Sequence, residues 1–192
     1  MSSKIGVQNI AHTNGTVAAT ITSDGTLYAT NQVIQIVFAG TGAYYASNND
    51  NTWKEYLSAS ITPKSSSSKI LVEHTVWYGG NSNGYGAGKV GRTISGGSEV
   101  ALRYANANLT DTRFTDASFP MMSLAANAHY KFYMASFSFE DTPSTTSAIT
   151  YKCYTKEDAA GTDISINRQY ANPGDGYTTP SPTFIKLTEI GG

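Results

Sequence analysis

The stretch Lys69-Ile70-Leu71-Val72-Glu73-His74-Thr75-Val76-Trp77-Tyr78 carries the clearest strand pattern of the chain. Every second residue from Ile70 to Val76 is apolar except His74. Because successive side chains of a strand point to opposite faces, this set is expected to face a core. The stretch therefore predicts a half-buried β-strand in which His74 is a core histidine satisfied by a neighbouring group, and not a metal ligand.

Strand patterns recur on both sides of this stretch, and no run of a dozen residues keeps a helical period. Together with residues 69–78, the predicted strands after residue 32 are 33–38, 53–61, 89–94, 99–104, 130–139, 147–155, 162–167 and 183–190. Loops rich in Gly, Asn and Ser separate them. Many strands without intervening helices favour an antiparallel arrangement. The predicted fold is an all-β, antiparallel, jelly-roll-like β-sandwich.

A seven-residue phrase occurs twice near the start of the chain, ten positions apart. Asn14-Gly15-Thr16-Val17-Ala18-Ala19-Thr20 returns as Asp24-Gly25-Thr26-Leu27-Tyr28-Ala29-Thr30. Asn-Gly and Asp-Gly tolerate the positive φ angles of a type I′ turn, so each phrase predicts a tight reversal followed by a short strand. A lone hairpin is marginal in water, so this segment must pack on the rest of the chain, on further copies, or on a larger assembly. An ordinary N-terminal hairpin of a single β domain is the alternative.

Composition excludes several classes of protein. The chain has 192 residues, a net charge of −1 and 14% charged residues, which gives no electrostatic case for nucleic acid or an anionic membrane. No apolar run approaches the length of a spanning helix, and the first residues lack the apolar core of a signal peptide, so we expect synthesis in the cytoplasm. Cys153 has no partner cysteine and is expected to be a small core residue.

Catalytic and metal-binding motifs are not found in the sequence, so we expect no catalytic residues, no metal and no cofactor. The three histidines are far apart, and the acidic pairs Glu140-Asp141 and Glu157-Asp158 are expected to cap turns or to face solvent. A polysaccharide-cleaving enzyme would need two carboxylates across a groove, and no pair stands out. A capsule-degrading enzyme remains the less favoured alternative.

Three long loops offer candidate ligand-binding residues. Tyrosine rings beside short hydrogen-bonding side chains suit contact with carbohydrate. The candidates are Tyr78, Asn81, Asn83, Tyr85, Asp175 and Tyr177. The alternative is that tyrosine decorates β surfaces and that Asn and Gly form turns.

Three phrases together resemble a known family. They are the turn and strand Pro63-Lys64-Ser65-Ser66-Ser67-Ser68-Lys69-Ile70-Leu71-Val72, the corner from Phe139 to Lys152, and the pair Ile166-Asn167-Arg168 and Leu187-Thr188-Glu189-Ile190. The chain resembles jelly-roll domains at the ends of structural appendage proteins of marine bacteriophages. The N-terminal phrase is similar to the short β segments by which phage fibre-type proteins attach or trimerise. The resemblance implies a virion component, commonly a homotrimer, whose tip recognises a host surface glycan.

Taken together, these observations predict a two-part, non-enzymatic virion structural protein. Residues 1–32 are expected to form a β assembly segment that binds further copies or other virion proteins, and residues 33–192 a jelly-roll knob. The expected assembly contacts are Ile5, Val7, Ile10, Val17, Ile21 and Leu27. A tail-fibre or receptor-binding tip is the first interpretation, and a capsid decoration knob without a receptor role is the alternative. A bacterial extracellular lectin is disfavoured by the missing signal peptide.

Overall fold

The structure is a computed structural model of the whole chain. It describes residues 8–21, 25, 27–46, 51–80, 86–102, 116–121, 131–157, 164–169 and 181–192. The described part is built from strands and loops and contains no helix.

Fourteen strands make up the described fold. In chain order they are β1 (Asn9–Ala11), β2 (Val17–Ile21), β3 (Leu27–Tyr28), β4 (Val33–Thr41), β5 (Tyr45–Ala46), β6 (Lys54–Ile61), β7 (Lys69–Gly80), β8 (Gly86–Ile94), β9 (Val100–Ala101), β10 (Phe119–Met121), β11 (Tyr133–Asp141), β12 (Ile149–Glu157), β13 (Ile164–Ile166) and β14 (Thr183–Ile190).

Two antiparallel sheets form the main body. One has the order β10-β8-β12-β6, with β9 beside β8, and the other has the order β4-β14-β7-β13-β5, with β11 on β7. If the short strands β5, β9 and β13 are set aside and the other eight strands of the two sheets are numbered one to eight in chain order, the sheets follow the orders 1-8-3-6 and 2-7-4-5. Successive strands in this numbering thus alternate between the sheets, except that β8 and β10 are neighbours in one sheet. The predicted antiparallel sandwich is confirmed, and this strand order is compatible with a jelly roll.

The core lies between the two sheets and follows from strand alternation. In β7 the side chains of Ile70, Val72 and Val76 are buried, and in β12 Ile149 and Tyr151 face them from the other sheet. Every second residue of β12 is buried and the others are partly exposed. The period-two pattern therefore predicts the core-facing residues of both central strands correctly.

Predicted and observed strands differ mainly at their ends. β14 has the predicted bounds, whereas β7 and β8 extend through glycines into segments predicted as loop. Glycine weakens a sequence-based strand assignment, yet it is required where Gly88 underlies another side chain: a Cβ atom there would lie 1.9 Å from Cζ of Phe119. The short strands β5 and β10 were not predicted.

The repeated N-terminal phrase forms a separate three-stranded antiparallel sheet, β1-β2-β3. Gly15 and Gly25 have φ angles of 84° and 83°, as predicted for these turns. Asn14, however, does not have positive φ, so the predicted type I′ turn is wrong at this position. The His12 carbonyl accepts from Gly15 N at 2.8 Å and His12 N donates to the Thr16 carbonyl at 2.8 Å, which closes a three-residue loop. In such a loop only the last residue is left-handed.

Candidate assembly surface

The N-terminal sheet has one predominantly apolar face. Ile10 lies opposite Ala19, and Ile21 lies opposite Leu27, so these residues project from the same side of the sheet. Ile10 and Leu27 are 49% and 47% exposed. Val17, which is 50% exposed, adjoins an irregularity in the pairing of β1 with β2. The sheet thus presents uncovered aliphatic side chains to its surroundings.

The opposite face of the N-terminal sheet is fixed to the sandwich by Tyr28. Its hydroxyl lies 3.1 Å from Oγ of Ser67, donates to the Gly192 carbonyl at 3.2 Å and accepts from Gly192 N at 3.0 Å. Leu27 precedes Tyr28 in the same strand and therefore points the other way. Tyr28 thus orients the sheet so that the face carrying Leu27 points away from Ser67 and Gly192.

Close backbone packing reinforces this junction. Asn31 N donates to the Gly191 carbonyl at 2.6 Å, and Gly191 N donates to the Gln32 carbonyl at 2.8 Å. A Cβ atom on Gly191 would lie 2.1 Å from the carbonyl oxygen of Ala29, so a side chain does not fit there. The segment that enters β4 is therefore held against the residues that follow β14.

The first strand of the sandwich also carries exposed apolar side chains. Val33, Ile36 and Phe38 of β4 are 59%, 57% and 64% exposed. Nine large hydrophobic side chains are exposed among the described residues, and six of them lie between Ile10 and Phe38. Scattered single exposures are the ordinary case, so this concentration makes the region the candidate interaction surface. We call residues 10–38 of the described chain the apolar segment.

The apolar segment is also poor in charge. Between Lys4 and Lys54 the sequence has two formally charged side chains, Asp24 and Asp50. Depletion of charge distinguishes the cores of protein interfaces from ordinary surface. The segment therefore has the composition of a protein contact.

The predicted assembly residues are placed only in part. Ile10, Val17, Ile21 and Leu27 lie in the N-terminal sheet, whereas Ile5 and Val7 lie outside the described residues. Sequence reasoning missed Val33, Ile36 and Phe38, because it assigned the strand that holds them to the knob. Gln35, the polar residue within this apolar run, was the available signal that the strand is not wholly internal.

The predicted ligand-binding residues are not brought together in the described structure. Asn81, Asn83, Tyr85, Asp175 and Tyr177 lie outside the described residues. Tyr78 is 3% exposed, and its ring stacks on Tyr133 with centroids 5.7 Å apart. A tyrosine that binds sugar needs an open ring face, so the buried position of Tyr78 does not suit the role proposed for it.

His74 is confirmed as a satisfied core histidine. It is 1% exposed, its Nδ1 lies 2.7 Å from the Phe184 carbonyl, and its Nε2 lies 2.8 Å from the Tyr56 hydroxyl. The carbonyl can only accept, so Nδ1 carries the proton and Tyr56 donates to Nε2. Burial lowers the pKa of His74 to about 4, although the carbonyl contact opposes this shift. The neutral ring therefore serves as a polar link in the core.

Cys153 lies beside this histidine and is confirmed as a small core residue. It is a free, fully buried cysteine, and its Sγ lies 3.7 Å from Nδ1 of His74. Burial raises the pKa of the thiol, and the charge of Glu55 raises it further. Nucleophilic cysteines need a lowered pKa, so this pair is structural.

Three acidic groups of the described chain, Asp141, Glu157 and Glu189, are buried, so the prediction that Glu157 caps a turn or faces solvent is wrong. Asp141 accepts from Nη1 of Arg92 at 2.6 Å and from the Tyr151 hydroxyl at 2.7 Å. The prediction that Asp141 caps a turn or faces solvent is wrong, because β11 continues to this residue and turns its side chain inward. Glu189 is fully buried and accepts from the backbone N of Lys64 at 2.7 Å and from Nε2 of Gln35 at 2.6 Å.

A further polar cluster covers the outer face of the five-stranded sheet. Nζ of Lys89 binds Oε1 of Glu99 at 2.8 Å and lies 4.1 Å from the ring centroid of Tyr154, whose hydroxyl also donates to Glu99. Burial acts to raise the pKa of Glu99, but the bonds from Lys89 and Tyr154 outweigh it and lower the pKa. The three groups satisfy one another, so we interpret the cluster as structural.

No group of three or more potential metal ligands occurs among the described residues. No helix in the described part of the chain is long and apolar enough to cross a membrane.

Comparison with known proteins gives weak structural likenesses alone. No family model matches the chain, and no curated protein matches its sequence. Thirteen chains of solved structures match. One belongs to the structure of the Gt strain of infectious bursal disease virus, at 10% identity and a TM-score of 0.43, covering 92% of this chain and 47% of that one. Another, from the Gx strain of the same virus, has 11% identity and a TM-score of 0.40, covering 85% of this chain and 38% of that one.

This chain spans less than half the length of either viral chain. At this sequence identity and TM-score, the structural likeness does not define a class of protein.

Proposed function

We propose that this protein is a non-enzymatic structural component of a bacteriophage virion, held in the particle by its apolar segment. The observation that carries the proposal is the concentration of exposed aliphatic side chains on a nearly uncharged stretch, which includes Ile10, Val17 and Leu27. The phage setting is supported by the resemblance of the turn-and-strand phrases described above.

The resembling phrases also have structural roles that suit a rigid module. The phrase beginning at Pro63 is bound through Lys64 to Glu189 of the last phrase. The corner phrase contains Asp141, which binds Arg92 and Tyr151. These residues fix turns to strands and stabilise a domain that projects from an assembly.

The finer form of the proposal is an outward-projecting homotrimer of the tail-fibre type, with other virion proteins as partners of its N-terminal segment. A capsid decoration knob with the same anchoring is the alternative. The apolar segment supports both equally. Host glycan binding would distinguish them, because it belongs to the first role alone.

The test replaces the exposed aliphatic residues of the N-terminal sheet with serine in the full chain. The variant carries Ile10→Ser, Val17→Ser and Leu27→Ser, and the molar mass is measured by light scattering at several concentrations. The control is Val100→Ser, since Val100 is 51% exposed on β9, outside the apolar segment.

We expect the serine variant to lose threefold association, so that its molar mass falls to one third of that of the unchanged chain, and we expect the control to keep the full mass. A serine variant with the mass of the unchanged chain would contradict assembly through the N-terminal sheet.

A further inference from the structure

The strand β4 is the least protected edge of the sandwich. It pairs with β14 on one side, and its other side pairs with no strand of the described chain. An uncovered edge strand offers unpaired backbone donors and acceptors to another strand. Monomeric proteins normally protect such edges with charged residues, proline, β-bulges or a short strand length.

The other edges of the two sheets carry such protection. β6 begins with Lys54 and Glu55, β10 contains Pro120, and β11 ends with Glu140 and Asp141. β5 and β9 have two residues each. By contrast, β4 has nine residues, VIQIVFAGT, with neither a charge nor a proline. Its one irregularity lies near its start, where the pairing with β14 shifts between Glu189 and Ile190.

The side chains beside this edge are uncovered as well. Phe38 is 64% exposed, the highest value among the exposed large hydrophobics of the described chain, and Ile36 is 57% exposed. Both lie on the outer face of their sheet, where the Phe38 ring stacks on Phe184 with centroids 5.5 Å apart. Phe184 supports Phe38 from one side and leaves its other side open toward the edge.

We propose that β4 pairs antiparallel with β4 of a second copy of this chain, joining two sandwiches into one continuous sheet across a two-fold axis. Centred on Val37, this pairing sets Phe38 of each copy beside Ile36 of the other. Cross-strand pairs of an aromatic with a β-branched residue stabilise a sheet.

A second copy fits this edge because a two-fold contact brings each residue against the same uncharged strand. No like charges meet, since β4 carries none. Of the charged residues opposite β4 on β14, Lys186 faces Phe38 and binds Glu73 at 2.7 Å. Glu189 faces Gln35, is fully buried and accepts hydrogen bonds from Gln35 and the Lys64 backbone. A charged strand of a different protein would therefore have no opposite charge in β4 to pair with.

This inference goes beyond the proposed function, because it concerns the edge of β4 and not the N-terminal sheet, and because it implies a different symmetry. Association through the N-terminal sheet and association through β4 can be distinguished by molar mass. Three-fold association through the N-terminal sheet and two-fold association through β4 together give six copies. Loss of the first leaves dimers, and loss of the second leaves trimers.

The test uses the full chain with Phe38→Lys, in which each copy places an ammonium group beside Ile36 of the other. The matched control is Met134→Lys, because Met134 is 54% exposed on β11 at the far side of the same sheet. Thermal unfolding shows whether each variant is folded. If Phe38→Lys does not fold, Phe38→Thr takes its place, because threonine favours a strand.

We expect Phe38→Lys to halve the molar mass of the unchanged chain at equal concentration and Met134→Lys to leave it unchanged. A Phe38→Lys protein that is folded and keeps the full mass would overturn the proposal, as would an equal loss in both variants.

A mixing experiment tests the register. Ile36→Glu alone should also halve the mass, and mixing it with Phe38→Lys should restore association, because one Lys–Glu pair then forms across the axis. A mixture that stays at the lower mass would overturn pairing centred on Val37.

Discussion

Nη1 of Arg92 lies 2.6 Å from Oδ1 of Asp141, so a residue of the five-stranded sheet is bound to the end of β11 in the six-stranded sheet. The side chains are 18% and 7% exposed. Tyr151 donates to the second carboxylate oxygen at 2.7 Å. The corner between β11 and β12 is thus fixed by three polar groups that leave no acceptor of Asp141 without a donor.

Asp141→Asn should destabilise the protein strongly, because it removes the buried carboxylate that neutralises the partly buried guanidinium of Arg92. Breaking a buried pair in this way costs about 3 kcal/mol of the free energy of unfolding. The control is Glu140→Gln, since Glu140 pairs with Lys69 at 2.9 Å at the surface, where both side chains are nearly half exposed. Exposed pairs contribute about 0.5 kcal/mol. Urea unfolding of both variants measures the difference, and similar losses would contradict a special role for Asp141.

The pH dependence of stability should report on His74. Burial lowers its pKa to about 4 from 6.5, so the unfolded chain binds a proton that the folded chain excludes. Stability is therefore complete above pH 6.5 and decreases as the pH falls toward 4. The difference in pKa corresponds to a loss of about 3 kcal/mol in the free energy of unfolding when the pH is below both pKa values.

His74→Gln keeps a donor and an acceptor but does not titrate, so it should flatten the stability curve between pH 6.5 and pH 4. His12→Gln serves as the control, because His12 is an exposed histidine of the N-terminal sheet. Free energies of unfolding at half-unit pH intervals provide the measurement. Parallel curves for His74→Gln and the unchanged chain would show that another group causes the acid sensitivity.

Sequence reasoning succeeded where a single strand carries its own pattern. The alternation in β7 identifies Ile70 and Val72 as core residues, and the polar position of His74 within it indicates a satisfied histidine. Both conclusions depend on local periodicity, which the sequence contains in full. The glycine turns of the N-terminal sheet are local in the same sense, although Asn14 shows that the dipeptide alone does not select the turn type.

The apolar segment could be predicted only to residue 32, because exposure in β4 depends on strand order. Ile36 and Phe38 occupy an apolar run, and a run of this kind is ordinarily buried on both faces. They are exposed because they lie on the outer face of an edge strand, a position set by the pairing of β4 with β14 some 150 residues away. Tyr78 differs from its predicted role for a related reason, since its stacking partner Tyr133 lies on another strand.

Gly88→Ala should destabilise the sandwich, because the Phe119 ring lies directly over this backbone position. The added Cβ atom would meet Cζ of Phe119 at 1.9 Å, and this ring is confined by Phe137 at a centroid distance of 4.5 Å. Overpacking of a core typically costs about 2 kcal/mol. Gly42→Ala is the control, since nothing lies within 4 Å of its Cβ position. Thermal unfolding should show a lower melting temperature for Gly88→Ala alone, and equal values would contradict close packing of Phe119 on β8.

Tyr28→Phe should loosen the N-terminal sheet without unfolding the sandwich. The variant keeps the ring but removes the hydroxyl that binds Ser67 and both backbone groups of Gly192. Loss of such hydrogen bonds costs about 1 kcal/mol, which corresponds to about a fivefold increase in local opening. Hydrogen exchange of the amides in β2 and β3 measures this increase, and the amides of β14 provide the reference.

Tyr44→Phe is the matched control for Tyr28→Phe, because the Tyr44 ring contacts Arg168 by its face, at 3.4 Å from the guanidinium carbon to the ring centroid. That contact does not depend on the hydroxyl, so exchange in β2 and β3 should not change. If Tyr28→Phe also leaves this exchange unchanged, the close backbone packing at Gly191 is sufficient to hold the sheet. Faster exchange in β14 as well would mean that the sheet and the sandwich open as one unit. The expected result, faster exchange in the N-terminal sheet alone, would make Tyr28 the residue that orients the face of Leu27 for assembly.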